Sequence, residues 1–365
     1  MQSFVSDIVK ELKPYFDGLL RTDPASGGLY MLDDELGDRA SCCTTGLAAC
    51  FYTLDGKLNG GDGFDIARRL AEDVRNRQLP SGGFTQPYYA KAGEPPVVDI
   101  AEIGAVANSL YHIHQATNSE AAKESLIRAA DYLLTQTVPE RPGVVLKRPG
   151  ENFDVLNGDM YAAHTFGRAY ELTGNPVYLE QVVAIFGHLA DRFGQNEPGW
   201  WPYIENWDGS VVMGNSVLYQ ATIVAFAHTA LRLLPEELLA RWRQVSEQAV
   251  ATMVEAIRQP PSEATEAPWW TRDWSNGWEL YMSLARSTAS EQVREIGLNR
   301  FREVEADLRE RGVLRFRPNI KHSEPDRAPV TTTFRKASGF AGIIACMALD
   351  EEPVLEFNNK GEPIA

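Results

Sequence analysis

The feature that most constrains this chain is a local pattern that recurs six times along it. A one-faced amphipathic segment ends, a Gly- or Pro-marked turn follows, then a short aromatic or β-branched stretch, a polar loop, and a second, more apolar segment. The turn stretches are GGLYML from Gly27, GGFTQPYY from Gly82, PGVVLKR from Pro142, PGWWPYIE from Pro198, APWWTRDW from Ala267 and RGVLRFRP from Arg311. Five steps separate Gly27 from Arg311, a mean period of about 57 residues, the length of a helix pair with a long connection.

The two segments of each unit belong to different layers. Over 235–258, Leu238, Trp242, Val245, Ala249, Met253 and Ile257 form one stripe, with Glu237, Arg241, Arg243 and Glu247 elsewhere. Such a helix buries one face and wets the other. Residues 40–52, 211–231 and 337–349 carry almost no charge and read as helices buried all round. The spacing predicts outer helices near 3–21, 63–78, 119–138, 176–194, 235–259 and 289–312. Inner helices are predicted near 40–53, 99–117, 156–173, 211–233, 273–287 and 334–349. Six alternating pairs predict an all-α fold: a single (α/α)6 toroid over residues 1–350, with short β-like stretches in its loops and a loose tail over 351–365. An open solenoid of the same pairs is the alternative, and the lack of polar capping repeats favours closure.

The 365 residues carry 35 Lys and Arg against 50 Asp and Glu, a net charge of −15. That balance opposes nucleic-acid binding, which needs positive charge against phosphate. No apolar run reaches the ~20 residues that cross a bilayer. The opening MQSFVSDIVKELKPYF lacks the hydrophobic stretch of a signal peptide, so the expected setting is cytoplasmic. Cys42, Cys43, Cys50 and Cys346 form no CxxC pair and read as buried reduced thiols. His112 and His114 sit two apart on a helix and point away from each other, so no metal site is expected. The expected partner is a small molecule, with no cofactor; the sequence does not define the oligomeric state.

Two turns carry a more specific signature. The stretch QNEPGWW, from Gln195 to Trp201, reads Q-x-x-x-G-x-W, and QLPSGGF, from Gln78 to Phe84, reads Q-x-x-x-G-x-F. This resembles the QW repeat of the terpenoid cyclase and prenyltransferase toroids, in which the Gln follows an outer helix and the aromatic ring stacks between hairpins. A class II cyclase of that group also carries a D-x-D-D acid motif, which Asp33-Asp34-Glu35 does not match. In topology the whole chain resembles the six-hairpin glycosidases, particularly the unsaturated glucuronyl and rhamnogalacturonyl hydrolases. The clearest stretch is Ala162–Tyr178, where an inner helix runs through LTGNPVY into the next outer helix. That resemblance implies a catalytic Asp at the start of each of two successive inner helices, and Asp99 and Asp159 hold comparable positions.

In such a ring the inner helices start at one rim, where their N-termini favour negative groups. An Asp there is first of all a helix cap. The rim also gathers Asp99 and Glu102 on one helix face, then Asn157 and Asp159, then Trp201, Tyr203, Glu205, Trp207 and Asn215. Trp270, Arg272, Asp273 and Trp274 follow, and Arg335 and Lys336 complete it. Seven of the eight tryptophans fall in two loops, 200–207 and 269–278, and divide between hairpin packing and pocket wall. Carboxylates beside aromatic rings suit sugar chemistry, in which one acid donates a proton and a carboxylate activates water.

The expectation is a carbohydrate-active enzyme of the hydrolase or lyase type acting on a small acidic saccharide. Asp159 is the expected acid and base, Asp99 and Glu102 assist, and the other rim residues bind. The basic run Arg315, Arg317, Lys321, Arg327, Arg335 and Lys336 suits an anionic substrate group or surface ion pairs. Two alternatives stay open. An isoprenoid cyclase needs a deep apolar cavity with one Asp; a non-catalytic toroid binding a ligand or protein leaves its rim carboxylates taken up by caps and ion pairs.

Overall fold

The computed structural model describes residues 2–85, 97–258, 277–318 and 331–350. Within them the outer helices are α1 (Gln2–Leu19), α3 (Gly63–Arg77), α5 (Glu120–Leu134), α7 (Pro176–Arg192), α9 (Glu236–Arg258) and α11 (Glu291–Arg311). The inner helices are α2 (Cys42–Asn59), α4 (Ile100–Thr117), α6 (Leu156–Thr173), α8 (Val217–Ala227), α10 (Trp278–Ala285) and α12 (Thr333–Asp350). The charge pattern explains the layers: α3 buries Ile66, Ala67, Leu70, Ala71 and Val74 along one stripe, whereas α2 is buried over nearly its whole length. Along the inner ring α2 packs on α4, α4 on α6, α6 on α8, α8 on α10, α10 on α12, and α12 back on α2. This last contact closes the toroid. It is reinforced where Thr332 Oγ1 donates to Asp33 Oδ2 at 2.7 Å, tying the last hairpin to the first loop.

The recurrent turn has a steric cause. Gly82, Gly143 and Gly199 have φ of +96°, +91° and +82°, and each presses on the next outer helix. A Cβ would fall 2.1 Å from Arg128 O of α5, 2.5 Å from Ala184 O of α7 and 2.4 Å from Thr252 Oγ1 of α9, respectively. Left-handed backbone and close approach together demand glycine. Gln78 then bridges the turn to α5, its Nε2 donating to Gly82 O at 2.7 Å and Ser125 O at 2.9 Å. At the later turn Gln195 is exposed, and Gln220 of α8 takes that role instead. Its Nε2 donates to Gly199 O and Ala249 O at 3.2 Å each, while its Oε1 accepts from the Trp201 N–H. The Trp201 ring packs 4.5 Å from Phe193 and 5.9 Å from Trp242, while the exposed Gln195 leaves the bridging to Gln220.

Two small antiparallel sheets brace the loops: β1 (Leu20–Thr22), β2 (Leu29–Asp33) and β3 (Asp38–Arg39), then β4 (Phe153–Val155), β5 (Ile204–Asn206) and β6 (Val211–Met213). The sixth strand corrects the expectation of an inner helix from residue 211. Val211 pairs with Glu205 and Met213 with Ile204, so α8 starts only after Ser216, whose side chain caps it through the Tyr219 N–H. The stretch after Arg311 likewise forms a 3-10 helix over Gly312–Phe316 instead of a strand. All four cysteines are buried free thiols, with Cys50 Sγ 3.8 Å from Cys346 Sγ. Among the described residues no helix is long and apolar enough to cross a membrane.

Candidate active site

The inner helices open their N-termini onto a cavity of about 440 Å³ at one mouth of the ring. Five of the expected rim residues line it: Asp99, Glu102, Asn157, Tyr203 and Arg335. Sequence reasoning passed over Cys43, Lys147, Arg148, Tyr161 and Tyr219, which line it too. A signal for two of these was present, since Lys147 and Arg148 end the third turn stretch just before an inner helix. Tyr161 and Tyr219 fall within helices whose apolar composition reads as core.

Glu102 dominates the electrostatics. It stands in the first turn of α4 and is only 4% exposed. Burial pushes its carboxyl up to about 7; the Arg335 guanidinium pulls against that rise, Asp99 adds to it, and the Ser41 hydroxyl and Cys43 backbone N–H offset part of it. Among the described residues no donor reaches its Oε2. A carboxyl titrating near neutrality on a cavity wall can both give and take a proton.

Asp99 is engaged differently. Its Oδ1 accepts from the Ala101 N–H at 2.9 Å, capping α4, and its Oδ2 accepts from Arg148 Nε at 2.8 Å. It thereby orients Arg148 toward the mouth. Lys147 Nζ donates to Tyr203 OH at 2.9 Å, and the Tyr203 ring stacks on Tyr219 with centroids 4.1 Å apart. The result is a flat aromatic wall beside Lys147, Arg148 and Arg335.

A further buried carboxyl, which does not line the cavity, comes from the far side of the ring. Glu279 lies in the first turn of α10, and burial raises it. Its charge acts on Cys43 and Tyr161 of the cavity wall. Burial pushes both of those groups well up, so Cys43 is a neutral thiol and Tyr161 a phenol that keeps its proton.

Asp159 does not line the cavity. It is fully buried, its Oδ1 accepts from the Val145 N–H at 2.8 Å, and its Oδ2 lies 3.7 Å from His188 Nε2. Burial and the neighbouring Asp154 carboxylate hold it well above the usual carboxylate range. The helical turn explains the placement: Asn157 faces the mouth, and two residues on, about 200° around α6, Asp159 faces the outer layer. It holds the segment that carries Lys147 and Arg148.

The other expected binding residues divide in the same way. Glu205 is buried on β5, accepting from Arg192 Nε and Nη2 at 2.8 Å each and from Asn196 Nδ2 at 2.9 Å. Trp201 is packing, with its Nε1 donating to Leu189 O at 2.7 Å. Trp207 lies under the Arg141 guanidinium, 4.8 Å from its ring centroid, and Asn215 donates to Glu197. Lys336 follows Arg335 on α12 without lining the cavity, and Arg315 pairs with Asp307 at 2.9 Å. Trp270, Arg272, Asp273, Trp274, Lys321 and Arg327 lie outside the described residues.

No known family pattern matches this sequence, and no curated protein matches it. Solved structures do. A D-mannose isomerase superposes with a TM-score of 0.65 at 12% identity, over 95% of this chain and 98% of the other. A sugar epimerase from a ruminal bacterium gives 0.62 at 14% identity, over 93% and 98%. An α-1,6-mannanase from a Salegentibacter species gives 0.62 at 12% identity, over 94% and 99%. The shared fold is the (α/α)6 toroid.

Proposed function

We propose that this chain is a carbohydrate-active enzyme, of the glycoside hydrolase or lyase type, that takes a small anionic saccharide into the mouth of the toroid and moves protons through Glu102. One observation carries the reading: a carboxyl titrating near 7 stands on a cavity wall beside Lys147, Arg148 and Arg335. The cations suit a uronate or similar group, and the Tyr203–Tyr219 wall suits the C–H face of a pyranose ring. Asp99, three residues before Glu102 on the same cavity wall, is the second carboxyl there. An isoprenoid cyclase fits this polar lining poorly. A passive binding module leaves the buried titrating Glu102 without a purpose, although Asp99 alone is what such a module would show.

The names of the structural neighbours, a mannanase among them, support sugar chemistry by analogy of fold. The isomerase and epimerase among them favour a second reading on the same residues. There Glu102 removes a proton from carbon next to a carbonyl or carboxylate, and the cationic groups hold the enolate. Incubation with saturated and unsaturated uronate disaccharides in H2 18O or D2O separates the cases. Heavy oxygen in a cleaved product marks hydrolysis, a new ultraviolet-absorbing double bond marks elimination, and deuterium in uncleaved sugar marks isomerisation. A chain that neither binds nor turns over any of these sugars removes the reading altogether.

A further inference from the structure

Behind the mouth, three elements bring two carboxylates and an imidazole to one point. Asp154 comes from β4, Asp159 from α6 and His188 from α7, and one ligand atom of each lies within 4.8 Å of the other two. His188 Nε2 stands 2.8 Å from Asp154 Oδ2 and 3.7 Å from Asp159 Oδ2. Asp154 is 4% exposed and Asp159 0%. Among the described residues no hydrogen-bond donor reaches Asp159 Oδ2 or Asp154 Oδ1, although both atoms are sealed from solvent. Buried carboxylate oxygens left without donors are costly, more so when two carboxylates share the space.

The layer around this cluster is crowded with carboxyl groups. Asp154 lies opposite Glu205 across the β4–β5 ladder, so three carboxylates share the region. Arg192 grips Glu205 through two hydrogen bonds and acts on Asp154 through space alone. Burial and Asp154 keep a proton on Asp159, shared between the two carboxyls, so the metal-free cluster is held together by protons. In its Nε2–H tautomer His188 donates to Asp154 Oδ2 at 2.8 Å, and once that proton is lost the same nitrogen offers a lone pair to a metal. A dication that displaces these protons leaves Glu205 to Arg192 and turns the facing carboxylate oxygens and the imidazole nitrogen into ligands.

We infer that Asp154, Asp159 and His188 form a divalent-cation site of the imidazole-tolerant kind, Zn2+ or Mn2+, that locks β4, α6 and α7 together. Calcium and magnesium favour all-oxygen shells, whereas a nitrogen with two carboxylate oxygens suits Zn2+ or Mn2+. Ligand atoms around a tetrahedral Zn2+ stand ~3.4 Å apart, so His188 Nε2 would draw in from 3.7 Å toward Asp159 and move out from 2.8 Å at Asp154. His188 is 16% exposed, which gives an ion its way in. Asp159 Oδ1 already holds the Val145 N–H. The site therefore anchors the segment that carries Lys147 and Arg148 to the mouth, without touching the cavity itself.

The test is metal content and metal-dependent stability, independent of any activity. The full chain is stripped with chelator and titrated with ZnCl2 or MnCl2 by calorimetry and thermal unfolding, beside His188→Gln and Asp154→Asn. The inference predicts one ion per chain and a rise in Tm on metal addition. Each variant should weaken binding by at least the ~10–100-fold that losing even an outer partner costs. Folding of the variants is checked by circular dichroism, and the wild-type titration decides if neither variant folds. Absence of stoichiometric binding by the wild-type chain overturns the site, as does binding that both folded variants retain in full.

Discussion

Replacing Glu102 by Gln separates what this group does for catalysis from what it costs the fold. The carboxyl is held at about 7 against an ordinary 4.5, which corresponds to about 3 kcal/mol. The sign follows from which state keeps the proton. Between pH 4.5 and 7 the folded chain retains it while the unfolded chain has released it, so stability falls as pH rises through that window. Above it, the folded protein carries a buried, ionised Glu102. Glutamine cannot ionise, so E102Q should gain on the wild type by about 3 kcal/mol between pH 4 and pH 8, roughly 4 °C in Tm for a chain of this length. Thermal unfolding across that range measures the difference, and turnover on the same samples should fall at least ~100-fold. A Tm difference that stays flat with pH, or a variant that keeps full activity, would refute the reasoning.

Four further outcomes follow. Lys147→Met removes a cavity cation and the donor to Tyr203, and should raise KM for an anionic saccharide about tenfold, ~1.4 kcal/mol, with a weaker salt dependence; initial-rate kinetics at two ionic strengths check it. Asp159→Ala strands the buried Val145 N–H and should cost about 1–3 kcal/mol by denaturant unfolding, so its loss of activity comes with loss of stability. Gly82→Ala forces a Cβ to 2.1 Å from Arg128 O at φ +96°, and a drop in Tm with more than about 1 kcal/mol lost is expected. Gln220→Ala frees two buried carbonyls and should cost about 1–3 kcal/mol, whereas Gln195→Ala should stay within ~0.5 kcal/mol; equal effects contradict the corrected motif assignment.

The architecture was legible because layer membership is written in local composition. A helix such as CCTTGLAACFYTL can only be inner, and one such as EELLARWRQVSEQAV can only be outer. At three of the six turns, Gly82, Gly143 and Gly199, a glycine marked the unit because close approach to the next outer helix excludes a side chain. The site was legible in part. Helix N-terminal position predicted Asp99, Glu102 and Asn157 at the mouth, since the ring converges those ends. It could not predict which of two polar residues on an inner helix faces inward: Asp159 lies two residues beyond Asn157, and that rotation sends it to the outer layer. Nor could it rank Asp99 against Glu102, because the difference lies in partners far along the chain. Arg148 and the Ala101 N–H occupy the first, while burial among α2 and α12 residues lifts the second. Lys147 and Arg148 became site residues only through the long-range packing of the ring.

The most direct trial of the account is a crystal structure of E102Q soaked with a uronate-containing disaccharide. The sugar should lie in the α2–α4–α6 mouth, with its carboxylate against Lys147, Arg148 or Arg335, a ring on the Tyr203–Tyr219 wall, and a reacting bond beside position 102. Sugar bound elsewhere on the toroid, with that mouth filled only by water, would contradict it.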